Sequence, residues 1–116
     1  MATALINTSA QALLDPIRET FALSTPQLAR LFGVSRQAIE QWRARGVPDS
    51  RQEKAAALAA IADLLRHRLV RERIPGIARR PAAAYGGLTM IEMVERDRHL
   101  ELLESIRDAF DWTSTA

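Results

Sequence analysis

The chain has no cysteine, which excludes disulfide frameworks, thiolate zinc sites and cysteine nucleophiles, and fits a reducing compartment. Glycine and proline number only five each. With Ala, Leu, Arg and Glu supplying most of the middle, that scarcity favours helix over strand and predicts an all-α protein. No apolar run is long enough to span a bilayer, and Met1 to Ala10 carries no Lys or Arg ahead of its apolar residues. The sequence therefore predicts a cytoplasmic protein that does not use a membrane. Only two histidines occur, His67 and His99, and neither has a His, Asp or Glu four residues further on. Both are expected on the surface, as are Glu92, Glu95, Glu101 and Glu104, which follow helical spacing as a solvated polar face. Nothing here suggests an enzyme, a metal site or a cofactor.

What the chain does have is an uneven charge distribution. At 116 residues it is the size of one small domain, and its net charge of +2 hides two opposed regions. Residues 30–80 hold 12 Lys+Arg against 5 Asp+Glu, and residues 81–116 hold 3 against 7. A basic segment of this kind can neutralise phosphates, whereas the acidic tail would be repelled by them.

Local signals divide the chain into helices. Asp15-Pro16 reads as a cap and first helical residue, opening a helix through about Ala22 with Ile17 and Phe21 on one face, and Thr8 to Leu14 as a preceding turn. Ser24 and Gln27 form a capping box for a helix over Pro26–Phe32, which Gly33 stops. Ser35 caps a second helix that runs toward Arg45 and ends at Gly46 and Pro48. A further box at Ser50 and Glu53 predicts a long helix from Arg51 to about Arg73, stopped by Pro75-Gly76, with Leu58, Ile61, Leu65 and Leu69 as its core stripe. Ile74 to Gly87 reads as an irregular connection with one helical turn at Pro81 to Ala84. Thr89 and Glu92 box a short helix. Asp97 caps a final one, whose apolar face is Leu100, Leu103, Ile106 and Phe110, ending near residue 110.

Within this pattern the run LARLFGVSRQAIEQW carries the first functional signal. Trp42 keeps step with Ile39 and Ala38 and is expected in the core. Thr25 to Ala44 resembles the helix-turn-helix of bacterial and phage repressors, and the resemblance implies Ala29 at the helix crossing, Gly33 at the turn, and Leu28, Val34, Ile39 and Trp42 facing inward. The resemblance implies that the second helix enters the major groove of double-stranded DNA, at an operator. Ser35, Arg36, Gln37, Glu40 and Gln41 would then meet base edges and phosphates, with Arg43 and Arg45 nearer the backbone. Arg suits guanine, Gln suits adenine and Ser suits a phosphate, while Glu40 can accept from cytosine or repel phosphate in a wrong register.

The second signal spans Ile74-Pro75-Gly76-Ile77-Ala78-Arg79-Arg80-Pro81 and Gly86-Gly87-Leu88-Thr89-Met90-Ile91-Glu92-Met93-Val94. Over residues 50–112 the order of long helix, Pro-containing connection, Gly-rich turn, capped short helix and amphipathic final helix resembles Xre/MbcA/ParS-type antitoxins. It departs from them at Ile77, where an aromatic residue is common, and at Met90, where Pro is common. The resemblance implies an antitoxin of a type II toxin-antitoxin system, which neutralises a NAD-consuming RES-domain toxin and represses its own operon. Residues 1–49 would be the DNA-binding helix-turn-helix region, and residues 50–116 a helical region for homodimerisation and toxin binding. Leu88, Met90, Asp108, Phe110, Asp111 and Trp112 are the expected partner-binding residues, the aromatics flanked by aspartates being suited to a basic pocket. A transcriptional regulator without a toxin would share the first region and use the second only to dimerise.

Overall fold

The computed structural model describes the backbone of residues 13–115 and side chains through residue 111. Among the described residues every regular element is helical, as the composition predicts. Helix α1 is described over residues 13–21. It is followed by α2 (Thr25–Phe32), α3 (Arg36–Arg45) and α4 (Asp49–Arg68). After a 3-10 turn at Arg71–Arg73 come α5 (Ile74–Ala78), a second 3-10 turn at Ala83–Tyr85, α6 (Met90–Glu95) and α7 (His99–Thr115).

Helix α2 packs on α3 and α6, and α6 packs on α7. The longest interface is between α4 and α7. Lys54 Nζ meets Asp97 Oδ1 at 2.7 Å near the start of both helices, and the Arg68 guanidinium lies 5.4 Å from the Phe110 ring centre near their ends. The two helices therefore run side by side in the same direction. Leu28, Phe32, Ile39, Leu58, Ile61, Leu65, Ile74, Met93, Leu102 and Ile106 belong to one buried cluster, so the core continues across residue 50. Each such side chain contributes about 1.5–3 kcal/mol by leaving water.

Several local expectations are corrected by tertiary packing. Asp15 and Pro16 lie inside α1, because residues 13 and 14 are already helical; the turn expected from Thr8 falls mostly outside the described residues. Helix α4 begins at Asp49 after Pro48 with no side-chain cap, so the Ser50 box does not form. It stops at Arg68 and not at Arg73: Leu69 turns extended, at φ −121° and ψ 156°, which lets Ile74 and Ala78 enter the core completely. Leu69 is only half-buried. Pro75 then serves as an early residue of α5 instead of a stop, the position at which its missing N–H costs nothing.

The α6–α7 junction differs too. Asp97 sits at φ +60° and sends its carboxylate to Lys54, so it does not cap α7. The inward stripe of α7 is His99, Leu102, Leu103 and Ile106, with Phe110 half-buried. Leu100, expected inside, is 50% exposed, and His99, expected on the surface, is 8% exposed. The α7 helix also continues past residue 110 to Thr115.

Candidate nucleic-acid interface

The α2–α3 corner is closed by neighbours in sequence. Ser24 Oγ accepts from Gln27 N at 3.2 Å while Gln27 Oε1 accepts from Ser24 N at 2.8 Å, so the expected box forms. This pairing contributes about 1 kcal/mol to the helix start. At the other end Gly33 adopts φ +67° and ψ +35°. Its N–H donates to the Arg30 carbonyl at 3.1 Å and that of Val34 to Ala29 at 3.0 Å, the paired closure of a Schellman motif. Ser35 Oγ then accepts from Ala38 N at 3.1 Å and starts α3.

Packing fixes which face of α3 looks outward. Ile39 and Trp42 are buried, and the Trp42 ring meets Phe32 edge-on, 5.2 Å between centres at 85°. Ala29 is buried where α2 and α3 pack. Helix α4 secures the same corner from behind: Arg51 Nη1 donates to the Phe32 carbonyl at 3.2 Å, and Lys54 Nζ lies 5.7 Å from the Phe32 ring centre. A charge at a helix C-terminus and a cation over an aromatic face are both favourable. Neither contact is apparent from the sequence.

The opposite face presents Ser35, Arg36, Gln37, Glu40, Gln41 and Arg45, all exposed. Apart from the Ser35 cap, their side chains make no hydrogen bond or ion pair among the described residues, so Glu40 leaves Arg36 available. Ser35 uses its oxygen as an acceptor and keeps its O–H as a donor. Arg43 is different: it is half-buried, and its Nε and Nη2 are enclosed without a partner. Six polar or charged groups with free donors and acceptors therefore project from one short, rigidly backed helix.

The residues expected to meet a partner protein differ in exposure. Leu88 is half-buried and Met90 is buried in the core, so Met90 offers no contact surface. Phe110 packs against the protein's own core beneath Arg68, while Asp108 and Asp111 are exposed. The side chain of Trp112 lies outside the described residues.

The histidines do not assemble a metal site. His67 Nδ1 is 3.5 Å from Asp63 Oδ1, a pairing one turn back along the helix and not one turn on. His99 Nε2 is 3.9 Å from Glu53 Oε1, and its Nδ1 is buried without a partner. Among the described residues no group of three or more His, Cys, Asp or Glu is placed to hold a metal, and no helix is long and apolar enough to cross a membrane. No family model, curated protein or solved structure matches this chain.

Proposed function

We propose that the protein binds double-stranded DNA through a helix-turn-helix made of α2 and α3, with α3 in the major groove. The observation that carries this reading is the face of α3: Arg36, Gln37, Glu40 and Gln41 are exposed and unpaired on a helix whose other face is locked by Ile39 and Trp42. A helix prepared in this way meets bases without first breaking internal contacts, and its side chains match the donor and acceptor pattern of the major groove. Selection of duplexes from a random library followed by titration of variants tests it. Arg36→Ala and Gln37→Ala should each weaken the selected site by about 1–3 kcal/mol and relax preference at one position, with unchanged melting. Equal affinity of variants and parent would remove α3 from the interface.

The second half suits a regulated assembly, and the reading we propose is the antitoxin one. Its support is the element order that prompted the resemblance: the Thr89–Glu92 box holds α6 after the Gly86-Gly87 turn, and an amphipathic α7 follows. In this reading the protein acts in the cytoplasm as a homodimer, represses its own promoter and covers a RES-domain toxin with residues 74–116. Leu88, Asp108 and Asp111 remain accessible for that contact. Purification of the tagged protein from its own host, with mass spectrometry of whatever accompanies it, tests the proposal. A stoichiometric neighbour-encoded protein that is toxic alone supports it. Recovery of the protein with DNA only would favour a regulator without a toxin.

A further inference from the structure

A second group of cations is tied to the DNA-binding half. Arg79 Nη1 donates to the Phe21 carbonyl at 2.8 Å, and Nη2 to the Ala22 carbonyl at 3.3 Å. Those carbonyls end α1, and Leu23-Ser24 leads directly into α2, so the segment carrying Arg79 is fastened to the α1–α2 corner. The Arg79 guanidinium is occupied by this task. Its neighbours are not. Arg73 and Arg80 are exposed, their guanidiniums make no hydrogen bond or ion pair among the described residues, and they line a cleft of about 270 Å³ with Glu72, Gly76 and Ile77. The cleft is open at its glycine, since beyond the adjoining residues and the helix's own backbone no atom lies within 4 Å of where a Cβ on Gly76 would stand.

Two unpaired guanidiniums at one opening fit a polyanion. If α3 lies in the major groove, as proposed above, α2 crosses the sugar-phosphate backbone, and the α1–α2 corner lies beside the phosphates that α2 crosses. We infer that Arg73 and Arg80 contact DNA phosphates next to the sequence read by α3, forming a second, sequence-independent anchor. An acidic protein is the competing polyanion. DNA is favoured because the hydrogen bonds of Arg79 join this cleft to the helix pair that would meet DNA.

Phosphate contacts leave a signature in salt. Each neutralised phosphate adds about 0.9 to the slope of log affinity against log salt. Affinity should be measured from 50 to 200 mM NaCl on the selected duplex and on a random duplex of equal length. For the double variant Arg73→Gln/Arg80→Gln the slope should become shallower by about 1.8 on both, so the parent loses about 12-fold more affinity than the variant over that range. Base preference should not change, and Arg73→Lys/Arg80→Lys should keep the parental slope. An unchanged slope overturns the inference while leaving α3 in place, provided Arg36→Ala still weakens the selected duplex. An unchanged slope with loss of a co-purifying acidic protein assigns the cleft to that protein and also overturns it. A parent that binds neither duplex at any salt removes both readings together.

Discussion

The α2–α3 and α6–α7 corners have the same backbone closure and opposite origins. At the first, Val34 N donates to Ala29 O at 3.0 Å and Gly33 N to Arg30 O at 3.1 Å; at the second, Arg98 N donates to Met93 O at 2.9 Å and Asp97 N to Val94 O at 3.0 Å. Each pairs a bond spanning five residues with one spanning three, around a left-handed residue. Gly33, at φ +67°, adopts that conformation freely. Asp97, at φ +60°, carries a strain of about 1–2 kcal/mol, partly relieved because a short polar side chain tolerates the region. What holds Asp97 is Lys54, 43 residues away in sequence. The α1–α2 corner follows the second design, with Ala22 at φ +53° and its carbonyl bound by Arg79. At one corner the left-handed residue is thus encoded where it occurs, with α4 only backing Phe32, whereas at the other two it is held by a side chain of α4 or of the segment after it.

The comparison can be broken most severely behind the glycine corner. Trp42→Ala removes the ring that Phe32 packs against and leaves a cavity between α2 and α3, at a cost of about 3–5 kcal/mol. Because the core continues across residue 50, that loss should appear as one cooperative urea transition moved to lower denaturant for the whole chain. Two separate transitions, with the α4–α7 signal unmoved, would mean that the two halves fold independently.

A smaller effect separates strain from charge at the aspartate corner. Asp97→Ala loses the Lys54 partner and keeps the strained backbone, whereas Asp97→Gly loses the partner and relieves the strain. The glycine variant should be more stable than the alanine variant by about 1 kcal/mol. The ion pair cancels from that difference because both variants lose it, and against the parent its loss costs little, since the Asp97 side chain is 73% exposed and water screens it. Equal stabilities in chemical denaturation would show that the left-handed residue costs nothing there.

The same contrast explains what was legible in the sequence. The Ser24, Ser35 and Thr89 caps, the Gly33 stop and the inward Ile39 and Trp42 all depend on residues three to five apart, and each was readable as a local pattern. The outward row of α3 came from the resemblance to a helix-turn-helix, and its residues are exposed. The end of α4 and the rotation of α7 that buries His99 and exposes Leu100 were not readable, because distant packing decides them. Leu69 has no helix-breaking neighbour, yet the chain turns there because Ile74 and Ala78 are drawn into the core. Arg79, 58 residues from Phe21, looked like one more cation of a basic segment and proved to be a helix-end clasp. Arg73 and Arg80 carried no signal of their own beyond the local charge excess.

The finest test uses the titratable group that only the aspartate corner possesses. His99 begins α7, is 8% exposed, and faces Lys54 and Glu53 of α4 and Asp97 of its own loop. Burial, and then the Lys54 charge, hold its imidazole below the ordinary 6.5, against the pull of Asp97 and Glu53. The unfolded chain therefore takes up this proton first as pH falls, and stability is lost from about pH 6.5 down to the folded-state value. Asp97 acts in a different window: the Lys54 hydrogen bond and charge hold its carboxyl below 3.8, so its contribution is intact above that and lost only as pH falls further. Between about pH 7.5 and 5.5 the melting midpoint of the parent should consequently fall more than that of His99→Gln. Hydrogen exchange then locates the effect: on acidification the protection factor of the Arg98 amide should drop relative to that of Val34, whose corner has no histidine beside it. Equal losses at both amides would place the acid sensitivity in the global unfolding of the chain and not at the corner that Lys54 and Asp97 hold.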